Sequence, residues 1–470
     1  MTPTLAPCAQ TPVLHLCIAT EQTLANVLPL RLLPWGQVII IASDQLRQRS
    51  QARLQQLLRW AESEAHQRGL FPLDAVRVVE LPDTGMGWSG LLAFARRLAA
   101  ELTLQHPGQS IDLNVTGGTK LMSQAFSTAF AGQARMVYCN TQGAALEVLD
   151  PEGRAPTLAL PPDLLSLQDY LFAQGFEVSG FQSAADAPWL ATIEQRLPLT
   201  LSLVREAQRL RLTPGYKSKR LLTVLHGIAA ESLPNKSMRH SFEPVCECMA
   251  PHLPVWRIMV DLLQTHGIAE VLAWDAPEEE QPGLLRLRWT SEEAARYLAG
   301  GYLEEYAFLC AHALGLPPGQ IGMNVRLRLF DSRLPESYDY QELDVVIAWG
   351  NRLWVLECKA GVQVHNGAGQ DVLNKLDTLK ARVGGALGEG WLLTPLPLRE
   401  DIEQQLPVIE RARNYGIRLV NGGRELSQLP GTLAAALQRP DVAPTLDSAP
   451  RDLRQALDEA AAAHYRSQAR

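Results

Sequence analysis

Four charged residues stand at regular spacing between 342 and 359: Glu342, Asp344, Glu357 and Lys359. The two segments that carry them, Glu342 to Trp349 and Arg352 to Lys359, are rich in β-branched and aromatic residues and are joined by Gly350 and Asn351. A two-residue link with glycine first signals a β-hairpin with a type II′ turn. Pairing Trp349 with Arg352 sets Asp344 opposite Glu357 and Glu342 opposite Lys359. Opposed residues share a face, and so do alternate residues along one strand. All four charges therefore converge.

Two carboxylates with Cβ atoms about 5 Å apart repel one another, and a hard divalent cation held by oxygen ligands relieves that repulsion. Such an ion activates water and neutralises charge on a phosphate. Lys359 beside it adds a cation suited to a phosphate or to the attacking water. The alternative is an exposed hairpin with two cross-strand ion pairs. An Asp followed by Glu-x-Lys in this register is a rarer coincidence than a charge run and favours a site.

Asp344 followed on the next strand by Glu357-Cys358-Lys359 resembles the PD-(D/E)XK restriction-like nucleases. The resemblance implies an αβββα core, metal-dependent phosphodiester hydrolysis, and a further acidic residue on the preceding helix. Residues 301–306 sit where that helix belongs, so Glu304 is the expected residue, with Glu305 as its neighbour. Asp344 and Glu357 are the expected metal ligands for Mg²⁺ or Mn²⁺, and Glu342 would tune Lys359 or reach the metal through water. A strand from Met323 to Phe330 places Arg326 and Arg328 on one face, and the helix expected over 369–382 carries Lys375 as a candidate phosphate contact. Leu343 stands where the family signature has proline. His365 is a lone loop histidine outside the catalytic set.

Earlier in the chain, apolar runs at 13–19, 37–42, 75–81, 110–115 and 134–139 alternate with helical periodicity at 45–65, 89–104 and 120–131. That alternation predicts a mostly parallel, doubly wound sheet. Ligands of such sheets lie beyond the carboxyl ends of the strands. Two loops qualify, residues 20–26 and residues 114–120. The second reads Thr116-Gly117-Gly118-Thr119-Lys120, where paired glycines, a helix N-terminus, two hydroxyls and a lysine can receive an anion. It is neither a Walker A loop nor GxGxxG, and a tight turn with Thr116 or Thr119 as a helix cap accounts for it equally well.

This loop, followed by Leu121, Met122 and Ser123, resembles that of the CARF domains of type III CRISPR systems. Those domains dimerise and bind cyclic oligoadenylates across the dimer axis. The resemblance implies that Gln22, Asn26, Thr116, Gly117, Gly118, Thr119 and Lys120 contact the ring. An N-terminal Rossmann-like CARF domain followed by a restriction-like nuclease domain is similar to the CRISPR ancillary nucleases switched on by cyclic tetra-adenylate. The pairing implies a homodimer that cuts DNA, with RNA as a further candidate substrate. A ligand-gated regulator that binds nucleic acid without cutting would not need the four-charge face. A sensor domain that degrades its own ligand would need no metal.

The 470 residues exceed one ordinary core. The expected domains are 1–150 (CARF), 151–254 (helical connector), 255–290 (winged-helix-like), 291–423 (nuclease) and 424–470 (tail). In the third, the acidic turn with Asp275, Glu278, Glu279 and Glu280 argues against DNA reading. The small basic loop around 214–220 is expected to be solvated surface. With 46% apolar and 20% charged residues and a net charge of −7, the chain is a globular type without a global basic field, so a nucleic acid must be held locally. Residues 1–150 carry eleven basic and eleven acidic residues. Seven cysteines without paired CxxC motifs, no signal-like start and no run of eighteen apolar residues predict a reducing, cytoplasmic setting without membrane insertion.

Overall fold

A strand buried on every residue, β1 (Leu14–Ile18), lies at the centre of the parallel part of the N-terminal sheet. A computed structural model describes residues 13–439 except 83–86, 142, 151, 213–218, 235–240, 252–253, 276–281, 330–339 and 366–367. Around β1 run β2 (Gln37–Ser43), β3 (Val76–Leu81), β4 (Ile111–Asn114) and β5 (Ala134–Asn140), all parallel, in the order β3-β2-β1-β4-β5. The antiparallel strands β6 (Ala145–Leu149) and β7 (Thr157–Ala159) extend the sheet past β5.

Helices α1 (Leu24–Leu32), α2 (Asp44–Arg49), α3 (Gln51–Gln67), α4 (Pro72–Ala75), α5 (Gly87–Gln105) and α6 (Lys120–Ala129) connect these strands. Leu14, Leu16 and Ile18 pack with α5 and α6, whereas Cys17, Val38 and Ile40 pack with α1 and α3. Both faces are thus covered, which is why the strands read as continuous apolar runs. The order reverses between β1 and β4, where a doubly wound sheet opens its ligand crevice. Two details differ from the sequence reading. Residues 24–26 are helical, because Leu24, Val27, Leu28 and Leu30 all turn into the core. The stretch 45–65 is divided at Ser50 into α2 and α3.

The middle of the chain holds α7 (Leu167–Ala173), β8 (Phe176–Gln182), α8 (Ala187–Leu212), α9 (Lys219–Ser232), β9 (Val245–Pro251), α10 (Pro254–Thr265), β10 (Ala269–Asp275) and β11 (Pro282–Trp289). The winged-helix-like order is present, and its sheet gains a third strand, β10-β11-β9. Glu278, Glu279 and Glu280 of its acidic turn, and residues 213–218 of the basic loop, lie outside the described residues. The segment 151–254 is not only helical. β8 pairs antiparallel with a strand some 140 residues later and becomes the edge of the C-terminal sheet. Its alternation of Phe176 and Val178 with polar residues is too short a signal to show that pairing in the sequence.

The C-terminal part begins with α11 (Glu292–Arg296), a kinked turn over Tyr297–Gly301, and α12 (Tyr302–His312). Then come β12 (Ile321–Leu329), β13 (Gln341–Trp349), β14 (Arg352–Cys358), α13 (Ala368–Gly384), β15 (Gly388–Thr394), α14 (Leu406–Asn414), β16 (Arg418–Asn421), α15 (Gly422–Ser427) and α16 (Leu429–Ala436). The sheet order is β16-β15-β14-β13-β12-β8, with an antiparallel meander followed by parallel β14, β15 and β16. This contains the expected αβββα core.

Trp349 pairs with Arg352, and the register continues to Val345 opposite Leu356, as the spacing required. The turn itself is of type I′, since Gly350 and Asn351 both have positive φ, 63° and 60°. Asparagine tolerates that conformation, so the second residue follows the first into the left-handed region. The boundary expected at 423 also shifts. Leu426, Leu429 and Leu433 are fully buried, and the Tyr306 hydroxyl donates to the Leu426 carbonyl, so α15 and α16 belong to the core. Residues 440–470 lie outside the described ones. Among the described residues, no helix is long and apolar enough to cross a membrane.

Candidate functional site

Strand β13 delivers Glu342 and Asp344, β14 delivers Glu357, and Lys359 follows the end of β14, where its amide still donates to the Leu393 carbonyl at 2.9 Å. Leu343, Val345, Leu356 and Cys358 are buried in the apolar core, while the charged residues beside them line the cleft, Glu357 being buried with them. From the opposite side, α12 brings Glu304. All five line one cleft of about 840 Å³, with Lys375 from α13 at its edge.

The Lys359 ammonium lies 2.7 Å from Glu357 Oε1 and 3.3 Å from Asp344 Oδ2. Asp344 Oδ2 also accepts the Cys358 amide at 2.7 Å. Lys359 therefore straddles the two carboxylates. Glu342 behaves differently from the symmetric picture: it is exposed and stands opposite Arg326 on β12, and Lys359 turns to Asp344 and Glu357 instead.

Electrostatics mark the cleft. Burial, reinforced by Asp344, pushes the Glu304 carboxyl up to about 8. Burial and the facing Glu357 push Asp344 up to about 6, against the pull of Lys359 and the Cys358 amide. Burial alone would lower Lys359, yet Asp344 and Glu357 outweigh it and raise its pKa. Around Lys359 the carboxyl groups thus outnumber the one ammonium that contacts them.

That excess, with an all-oxygen donor set, fits a hard divalent cation. Among the described residues no group of three or more His, Cys, Asp or Glu forms a ready metal cage. Mg²⁺-type sites need none, because one or two carboxylates are completed by waters and substrate phosphates. His365 is engaged elsewhere: its Nδ1 lies 3.0 Å from Gln405 Nε2, away from the carboxylates.

The N-terminal loops meet at the β1/β4 crevice, as the spacing suggested, but their side chains divide into two groups. Asn26 is fully buried. Its amide donates to the Ile18 carbonyl at 3.1 Å and its oxygen accepts from Asn114 at 3.0 Å, so it ties α1 to β1 and β4 and offers nothing outward. The Thr116 hydroxyl donates to Asn114 Oδ1 and accepts the Cys139 amide, both at 2.7 Å. Gly117 is also buried. A Cβ there would stand 2.0 Å from the Ile18 carbonyl oxygen, so glycine is required by close packing on β1. Thr119 caps α6, its hydroxyl accepting the Met122 amide at 3.3 Å. Gln22, Gly118, Thr119 and Lys120 form the exposed surface of the crevice.

Sequence reasoning missed Arg196 of α8 and Arg296 of α11, which also line the nuclease-side cleft. Arg196 lies more than 100 positions before the motif, and no spacing could have tied it to the site.

Residues 291–437 match the family model described as Card1-like, endonuclease domain. This segment is an endonuclease-type domain. Over the whole chain, Can2 from Sulfobacillus thermosulfidooxidans, solved in complex with cyclic tetra-adenylate, superposes with a TM-score of 0.62 at 20% identity, covering 90% of this chain and 96% of that one. Protein VC1899 from Vibrio cholerae superposes with a TM-score of 0.63 at 20% identity, covering 91% and 98%. At that identity the likeness is one of fold. No curated protein matches the chain. The family match over residues 291–437 and the whole-chain fold match agree with the two-domain architecture implied by the sequence resemblance, an N-terminal doubly wound domain followed by an endonuclease-like domain.

Proposed function

We propose that this protein is a metal-dependent nuclease switched on by a cyclic oligoadenylate, with cyclic tetra-adenylate as the first candidate, and that it cleaves DNA phosphodiesters by hydrolysis, with RNA as a further candidate substrate. The observation that carries the reading is the Lys359 ammonium held between Glu357 and Asp344 in a cleft where Glu304 and Asp344 resist ionisation. Carboxyls whose ionisation is displaced by burial and by a specific charge partner, gathered in a cleft, mark a functional site.

Asp344 and Glu357 are the residues to hold Mn²⁺ or Mg²⁺, with Glu304 closing the cleft from α12. Bound there, the ion would activate water and neutralise phosphate charge. Lys359 places a fixed cation against the developing charge on the phosphate, and its two carboxylate contacts keep it from swinging out. Lys375 and Arg326 would guide the substrate backbone, and Glu342, paired across the strand with Arg326, would hold that arginine.

On the N-terminal side, Gln22, Gly118, Thr119 and Lys120 would meet the activator, while Asn26, Thr116 and Gly117 would shape the crevice from within. A two-fold ring suits a homodimer with the crevice on its axis. Can2 was solved with that ring, which supports cyclic tetra-adenylate as the activator to try. The test is cleavage of supercoiled plasmid, single-stranded DNA and RNA with Mn²⁺, with and without cyclic tetra-adenylate. Cutting only with the ring supports both halves. Cutting without it would remove the sensor reading, and tight ring binding without cutting would favour a ligand-gated regulator.

A further inference from the structure

Helix α8 lies outside the matched endonuclease segment, yet its Arg196 reaches the cleft that holds the carboxylates. The Arg196 Nη2 donates to Glu305 Oε1, and the two side chains are 21% and 6% exposed. Its guanidinium also lies 4.9 Å from the ring centre of Tyr297, whose hydroxyl is 2.9 Å from that of Thr200 on the same helix α8. Tyr297 opens the kinked turn before α12, where Gly300 takes φ 153°. Thus α8 grips both ends of one short segment: the turn through Tyr297 and the first turn of α12 through Glu305. Glu304 lies between the two grips.

A buried ion pair contributes little net stability, because desolvation offsets the attraction, and apolar residues in its place are often neutral. This pair is also incompletely satisfied, since Glu305 Oε2 and Arg196 Nε are buried without partners. Stability is a poor reason for its presence, whereas orientation is a good one: the planar guanidinium can pair with a carboxylate and lie on an aromatic face at once, which an ammonium does less well. Resting on the reading of Asp344, Glu357 and Lys359 as the hydrolytic site, we propose that Arg196 is a positioning residue. It fixes the turn and the start of α12, and so holds the Glu304 carboxyl opposite Asp344 and Lys359. The catalytic domain is then complete only when the connector helix is docked on it.

The test uses the full-length protein, with Arg196→Ala, Arg196→Lys and the double variant Arg196→Met/Glu305→Leu. The double variant removes both charges and keeps side-chain volume, so it addresses the case in which Arg196→Ala fails to fold. The measurements are kcat and KM with cyclic tetra-adenylate present, Mn²⁺ affinity from the electron paramagnetic resonance of free ion, ring affinity by calorimetry, and Tm. Misplacement by about 1 Å costs on the order of 100-fold in rate. The expectation is a fall in kcat of about 10- to 100-fold for Arg196→Ala and for the double variant, with weaker Mn²⁺ binding, unchanged ring binding, and partial recovery in Arg196→Lys. A folded double variant or Arg196→Ala that keeps kcat and Mn²⁺ affinity within about two-fold of wild type, even with a lowered Tm, would overturn the positioning role while leaving the nuclease reading intact. Wild-type protein that cuts no nucleic acid would overturn that reading, and this inference with it.

Discussion

In the N-terminal crevice the motif's side chains are largely occupied by the protein itself. Asn26 and Thr116 bond inward, Gly117 is there because nothing larger fits against Ile18, and Thr119 caps its helix. The outward surface is made of helix-end backbone, Gln22 and one lysine. In the C-terminal cleft the motif's side chains are aimed at each other in a partly desolvated space, and their ionisation is displaced as a result. One site is a shaped backbone surface and the other a charge cluster. Substitutions should therefore act by shape in the first and by chemistry in the second.

The largest expected effect is in the charge cluster. Glu357→Ala or Lys359→Ala should lower cleavage by at least about 100- to 1,000-fold, the scale for loss of one transition-state contact, while ring binding measured by calorimetry stays intact. Loss of both activities together would erase the contrast between the sites. Next comes Gly117→Ala, which forces a Cβ to 2.0 Å from a carbonyl oxygen. It should destabilise the N-terminal domain by about 1–3 kcal/mol and abolish ring binding, seen as a lowered first transition in thermal unfolding. A variant that binds normally would show that the loop's shape is dispensable.

Lys120→Ala should be milder, weakening ring binding by about ten-fold, or roughly 1.4 kcal/mol, without moving Tm. The smallest effect concerns pH. In the unfolded chain carboxyls lose protons near pH 4 to 4.5, whereas folded Asp344 and Glu304 hold theirs to about 6 and about 8. Between those values the unfolded state binds fewer protons, so stability falls as pH rises. Metal-free protein should melt on the order of 2–4 °C lower at pH 8 than at pH 5.5, and Mn²⁺ should remove the difference. An equal drop with Mn²⁺ present would argue against a cation at these carboxylates.

Much of this was legible in the chain. The hairpin register follows from a two-residue link and the period of two along a strand, and both are local. The alternation of five apolar runs with helices was enough for a doubly wound sheet, because strands buried on both faces must be apolar throughout. Less visible were features that depend on neighbours. Residues 24–26 read as loop because they closely follow the first strand, and only the bonds of Asn26 to Ile18 and Asn114 explain its place in a buried helix. The apparent tail at 424–437 is core because Tyr306 and its neighbours receive it.

By itself, then, the sequence determined which residues share a strand face, where the turns fall and which two loops open at the sheet's switch point, since these depend on backbone geometry and nearest neighbours. Only the tertiary structure decided which charged groups meet. It turned Lys359 to Asp344 and Glu357 and left Glu342 exposed outside that contact, it added β8 to the C-terminal sheet, and it brought Arg196 to Glu305. The physical reason is that side-chain pairing and burial are set by contacts between distant segments, whose desolvation no local pattern encodes.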